Sequence, residues 1–436
     1  MSAELLQRLL DGRLADPDTG DAIAVATRAV AIAPSLRGRE VALLQTLGLG
    51  SRLALVADAD TWPVLGSRLS GALGSAFCAT PIILSAKPHA DMDTVQLVRA
   101  RSTHADALIA IGSGTINDLA KYAAHLDRKP YACFGTAPSM NGYVSPNAAI
   151  MDRGVKQSLP ATAPRGAFLD VEILCKAPRR MIVAGFGDSI CRPTAQADWL
   201  LAHLLLGQRY RALPFHLLEQ DEQALLAAPE GLIAGDAAAM ILLARTLIMS
   251  GFGMAICGGS YPASQGEHLI AHFLEMCADP AWPETLHGEQ IAVTTLTMAR
   301  LQADLLKRPE IQVGTSKLTP AELASRFGAE AGAACWSAFA KKAIDADRAA
   351  ALNQRLRSDW PEMRRAIRAV HRPPAVLESA LRRAHAPTRP AEIGIPERDY
   401  REAVLHAREI RDRFTFLDLA AETGGIPAGI AAEAQA

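Results

Sequence analysis

Charge of one sign is missing from this 436-residue sequence: 45 Lys and Arg stand against 46 Asp and Glu. No electrostatic footprint for nucleic acid or for an acidic membrane follows from that balance. Paired cysteine is missing too. The seven cysteines, at 78, 133, 175, 191, 257, 277 and 335, stand singly, odd in number and without a CxxC. They read as the reduced thiols of a cytoplasmic protein. Residues 1–8 lack a basic start and a long apolar stretch, so no signal peptide is expected. An uninterrupted membrane span is absent as well. Residues 237–259 are strongly apolar, but Arg245 sits near the middle, where a charge is costly in lipid, and Gly251, Gly253, Gly258 and Gly259 crowd the end. That stretch reads as a buried helix running into a glycine turn. Internal repeats and low-complexity tracts are also lacking.

What is present is enough chain for about two or three domains, with half its residues hydrophobic. After a lead-in over 1–39, read as a short helix and irregular chain, apolar runs alternate with helical spacing. Strands are expected at 53–58, 81–85, 107–111 and 131–135, with helices at 62–73 and 91–102. Compact apolar runs separated by helices indicate a parallel sheet with crossover helices. Beyond Asp170 the strand pattern fades. Helices are expected over 178–223, 235–250, 264–276, 287–306, 320–327, 349–369 and 397–414. The sequence therefore divides near 175 into an α/β part, 40–176, and an all-helical part, 177–436.

Three stretches carry chemistry. The strand at 107–111 runs into Gly112, Ser113, Gly114 and Thr115, and then into a helix with Asp118 and Lys121 on its first turns. Strand, glycine-rich turn and helix start together make an anion site, because free N–H groups face the ligand. The pattern is neither GxGxxG nor a P-loop, so a plain tight turn is the competing reading. The next strand leads into a long loop, 136–146, with Thr136, Ser139, Asn141 and Ser145. Ligands gather at the carboxyl ends of parallel strands, and loops of this length tend to be functional. Finally, His268 and His272 lie four apart on one helical face, and His287 follows on a separate turn. Neutral imidazole is the commonest metal ligand, and a divalent ion takes such nitrogens with a carboxylate, for which Asp188 is the candidate. No HExxH is present, so ordinary hydrogen-bonding histidines are the alternative.

These stretches together resemble the glycerol-1-phosphate dehydrogenase family. They are residues 112–118 with Lys121, 136–143, 184–188 with 197–199, 266–268, 287–290 and 405–414, in the family's order. The family belongs with the iron-containing alcohol dehydrogenases, glycerol dehydrogenases and dehydroquinate synthases. The resemblance covers about residues 40–420. It implies an N-terminal Rossmann-like α/β domain followed by an all-α C-terminal domain, the dehydroquinate synthase-like fold. It implies NAD or NADP with its pyrophosphate over Gly112–Thr115, and Thr136 and Ser139 near the nicotinamide. Asp58 is a candidate for the adenosine ribose, and Asp118 and Ser145 complete the cofactor set. One divalent metal, zinc first with nickel or iron as alternatives, would be held by Asp188, His268 and His287. His272 then either stands behind the metal ligands or carries a proton to solvent.

The sequence departs from the family at Asn141, where Asp is usual, and at Arg192, where Lys is usual. Both belong beside the substrate. Arginine forks onto a phosphate where lysine is a point charge, so an anionic substrate is still expected. The implied reaction interconverts dihydroxyacetone phosphate and sn-glycerol 1-phosphate in the cytoplasm, in a homo-oligomer, with no nucleic acid or membrane partner. Two alternatives stand beside it. One is a dehydroquinate synthase-like lyase, which would need more basic residues than Arg153, Lys156 and Arg165. The other is a degenerate nucleotide-binding homologue.

Overall fold

The computed structural model describes residues 3–152, 155–427 and 429–430, so Arg153 and the first two residues of the chain fall outside it. The chain forms two compact units. One runs to Ser189 and takes in Ala212–Ser260; the other comprises Ile190–Arg211 and the chain from Tyr261 onward.

The first unit is built on eight strands: β1 Ala29–Ala33, β2 Arg52–Asp58, β3 Cys78–Leu84, β4 Ala107–Gly112, β5 Tyr131–Gly135, β6 Asn147–Asp152, β7 Val155–Pro160 and β8 Gly166–Asp170. Six of them make a parallel sheet in the order β1-β8-β5-β4-β2-β3, and β6 and β7 pair as an antiparallel hairpin. Every residue of β4, β5 and β8 is buried. Strands covered on both faces lose the in-out alternation and read as continuous apolar runs. Pro81, which cannot donate to a ladder, sits in the edge strand β3.

The lead-in expected to be irregular contains β1, and the stretch from 147 to 170 contains three further strands. β1 pairs in parallel with β8, residue Ala29 opposite Gly166. That partner lies far along the chain, so nothing local marks the register. The division expected near 175 also differs. Helix Arg179–Ser189 and the helical stretch Ala212–Ser260 pack with the sheet unit. The reason is helix Ala237–Cys257, which packs against Arg179–Ser189, against Val171–Cys175 and against β1. It is the one described helix long and apolar enough to cross a membrane, and it is mostly buried. Arg245 in its middle forms a two-pronged pair with the buried Asp221, at 2.7 and 2.8 Å.

Among its described residues the second unit is helical. Its core gathers Leu269, Phe273, Leu301, Trp360, Tyr400 and Phe416. The helix expected over 178–223 is several pieces. Helix Arg192–Leu206 ends at Gly207, whose φ of 69° only glycine adopts freely. The last predicted helix stops at His406 and continues as a 3₁₀ turn, Ala407–Ile410.

Candidate active site

In the first unit β4 delivers Gly112 to the start of helix Gly114–Leu126. A Cβ on Gly112 would stand 2.6 Å from the Cβ of Ile116, so the helix can begin this tightly only after glycine. A Cβ on Gly114 would meet Met140 at 3.0 Å. Ser113 is the N-cap without a side-chain cap bond, and no acidic side chain occupies the first turn. The leading N–H groups are thus left for an anion. Asp58 ends β2, which neighbours β4. Its Oδ1 accepts N–H bonds from Asp60 and Thr61 at 3.0 and 2.7 Å, closing the turn after the strand.

The long loop is held from below. Lys121 is fully buried, and its Nζ donates to Gly142 O at 2.7 Å and Asn147 O at 2.8 Å, with Ser145 Oγ and Asp118 Oδ1 at 3.3 Å. The other carboxylate oxygen of Asp118 accepts from Ala149 N at 3.0 Å. Ser145 Oγ donates within the same knot, to Gly142 O and Asn147 O. Asp118 and Ser145, expected to touch the cofactor, have these polar atoms engaged in shaping the loop. Thr136 N donates to Gly112 O at 3.1 Å, tying the loop's start to the glycine turn.

Helix Arg179–Ser189 approaches this loop at Gly185, where a Cβ would lie 1.5 Å from Pro138 O. The contact explains the glycine in the 184–188 motif. One turn on, the buried Asp188 accepts from the backbone N–H of Asn141 at 2.8 Å. The Asn141 side-chain Nδ2 is buried without a hydrogen-bond partner among the described residues. An unpaired buried donor is costly and marks a place where a ligand acceptor fits. Glycine turn, loop, Asn141 and Asp188 therefore belong to one assembly in the first unit.

The second unit brings the three imidazoles together. His268 and His272 come from helix Gly266–Met276, and His287 opens helix His287–Lys307. The ring centroids of His268 and His287 are 5.1 Å apart, and His272 lies 5.9 Å from each. His268 Nδ1 is 2.9 Å from Glu267 Oε1, and His287 Nδ1 is 3.4 Å from Glu275 Oε1. A carboxylate on Nδ1 fixes the tautomer and turns Nε2 toward a cation. That donor chemistry fits a divalent ion. Burial pushes the His272 imidazolium well below its ordinary range, so the ring is neutral. Arg192 is buried at the start of helix Arg192–Leu206.

Three site residues received no role from the sequence, although Asp198 and Glu267 stand in the 197–199 and 266–268 motifs. Glu267 and Glu275 flank the histidines, but their aim at Nδ1 is a matter of rotamer and helix phase. Asp198 is the third. Fully buried, it accepts from Gly266 N at 2.9 Å, Phe416 N at 3.0 Å and Gln302 Nε2 at 3.1 Å. It thus anchors both helices that carry the histidines. Burial first, and the neighbouring Glu267 second, push its carboxyl up to about 8. A charged residue amid the apolar run of helix Arg192–Leu206 was the available signal. Arg408, in the 405–414 motif, pairs with Glu422 at 2.7 Å and lies over the Phe339 ring.

The iron-containing alcohol dehydrogenase family matches residues 31–178. An enzyme of Thermococcus kodakarensis named glycerol-1-phosphate dehydrogenase (NAD(P)+) is 32% identical over 277 residues, spanning 63% of this chain and 77% of that protein. The Bacillus licheniformis protein of the same name is 28% identical over 382 residues, 86% of this chain and 84% of its own. The crystal structure of glycerol dehydrogenase from Schizosaccharomyces pombe superposes over 94% of this chain and 89% of its own, with a TM-score of 0.63. At 17% identity that likeness speaks for the shared fold. With these motifs and this architecture, the chain belongs to the glycerol-1-phosphate dehydrogenase family of the iron-containing alcohol dehydrogenases.

Proposed function

We propose that the protein is an NAD(P)-linked, divalent-metal-dependent dehydrogenase that interconverts dihydroxyacetone phosphate and sn-glycerol 1-phosphate. The observation that carries this reading is the pair of neighbouring imidazoles, each with Nδ1 turned to a carboxylate. We assign the opposite nitrogen of each ring, Nε2, as a metal ligand, with Asp188 as the third. When bound, the cation supplies Lewis-acid stabilisation of the charge that hydride transfer builds on the substrate oxygen. Zinc is the metal we expect, with nickel or iron as alternatives. The nicotinamide of NAD or NADP supplies the hydride.

The chain's own residues bind and orient. The N–H groups from Gly112 to Thr115 hold the pyrophosphate, Thr136 and Ser139 line the nicotinamide side, and Asp58 Oδ2 meets the ribose. Asp118, Lys121 and Ser145 act through the loop they shape. Arg192 forks onto the substrate phosphate. The Asn141 amide donates to a substrate oxygen but cannot take a proton. Neutral His272 is therefore the group that carries the proton between substrate and solvent. Family membership also supports a homo-oligomer in the cytoplasm, open to light scattering and fractionation.

The experiment follows NAD(P)H absorbance as purified, zinc- or nickel-loaded protein reduces dihydroxyacetone phosphate. Turnover that disappears with a chelator and returns with metal supports the assignment. If no phosphorylated ketone or polyol drives turnover, the assignment fails.

A further inference from the structure

The imidazole cluster contains more donors than the proposed inner site uses. His268, His272 and Glu275 fall at i, i+4 and i+7 on helix Gly266–Met276, which puts them on one face. His287 meets that face from the next helix. One ligand atom from each of His272, Glu275 and His287 lies within 4.8 Å of the others, and all three residues are half-buried. The His272 and His287 rings stack at 5.9 Å and 21°. His272 Nδ1 is buried and makes no hydrogen bond among the described residues. Two imidazoles and a carboxylate are the donor set of open zinc sites. Tetrahedral coordination at zinc bond lengths puts ligand atoms about 3.4 Å apart. A contraction of roughly 1 Å in half-buried side chains closes this set around an ion.

We propose that His272, Glu275 and His287 form a second, outer position for a zinc-class divalent cation, through which the ion reaches His268. The inference rests on the inner-site reading for the role of His268 and for the sharing of His287. A neutral imidazole has one nitrogen lone pair, so His287 serves one cation at a time. The two positions are alternatives, and the protein holds one equivalent. His268 is only 6% exposed. The outer set is the more open, which makes it the side of arrival.

The test titrates chelator-stripped, full-length protein with zinc or cobalt(II) against a chelating dye. Wild type is expected to take one equivalent. His268→Ala and the bulkier His268→Gln, each checked for folding by circular dichroism, still take one equivalent at weaker affinity. Adding Glu275→Gln to either weakens binding roughly tenfold or more. In the otherwise intact protein, His272→Ala slows cobalt uptake severalfold without changing final occupancy. Folded His268 variants that bind no cation overturn the proposal, as does a double variant that binds as tightly as the single one. An unchanged uptake rate in His272→Ala overturns the route. A wild type that takes no cation at all would instead sink the inner-site reading, with the His268 variants still deciding the outer position.

Discussion

Replacing Gly185 by alanine tests how the motif around Asp188 works. The new Cβ would stand 1.5 Å from Pro138 O and 2.7 Å from Pro138 C. Non-bonded heavy atoms rest about 3.5 Å apart, so helix and loop must part by about 2 Å. Two stability effects compete. Alanine in a helix interior gains about 1 kcal/mol over glycine, while overpacking costs about 1–3 kcal/mol. The net loss is modest and overpacking wins. The effect on activity is larger, because the displaced loop carries Ser139 and the Asn141 N–H that holds Asp188 at 2.8 Å. A misplacement of about 1 Å costs on the order of 10²-fold in rate. The assay is kcat/KM for dihydroxyacetone phosphate reduction, beside urea unfolding. Gly71→Ala is the control, in a helix where a Cβ meets nothing within 4 Å. Unchanged kcat/KM in Gly185→Ala would refute the claim that this contact sets the position of Asp188.

Further outcomes follow from other contacts. Lys121→Met strands two carbonyls and takes one partner from the half-buried Asp118 carboxylate. It should cost about 1–3 kcal/mol in urea unfolding and raise KM for the nucleotide more than it lowers kcat. Glu267→Gln, which loosens the aim of His268, should weaken metal affinity about 10–100-fold in dye competition. Asp198 gives a pH dependence. Its carboxyl sits at about 8 in the fold against an ordinary 3.8, so between these the folded protein keeps a proton the unfolded chain releases. That contribution is complete at low pH and is lost as pH rises through about 8. Urea midpoints should fall from about pH 6 to about pH 9, and Asp198→Asn should flatten the fall.

The parts of the fold that were legible in the sequence are those with a local cause. β2, β4 and β5 announce themselves as apolar runs because sheet neighbours and helices cover both faces. The glycine turn is legible because the close approach of Ile116 leaves room for nothing else. β1 and β8 were not, since strands of five residues take their identity from a partner 137 positions away at Ala29 and Gly166. The chain division was misplaced because a helix pattern says nothing about which core it joins. At the site, the histidines follow from spacing. The carboxylates aimed at them, the oxygen-lined pocket of Lys121 and the three-way grip of Asp198 depend on tertiary placement. Asp118 shows the same limit: its position after a glycine turn suggests a ligand contact, and its hydrogen bonds serve the loop.

Anomalous diffraction from crystals of the zinc-loaded protein tests the central claim most directly. The account predicts a single metal peak bonded to Asp188, His268 and His287 at about 2.0–2.2 Å. A peak on other side chains, or none in protein that turns over NAD(P)H, would contradict it.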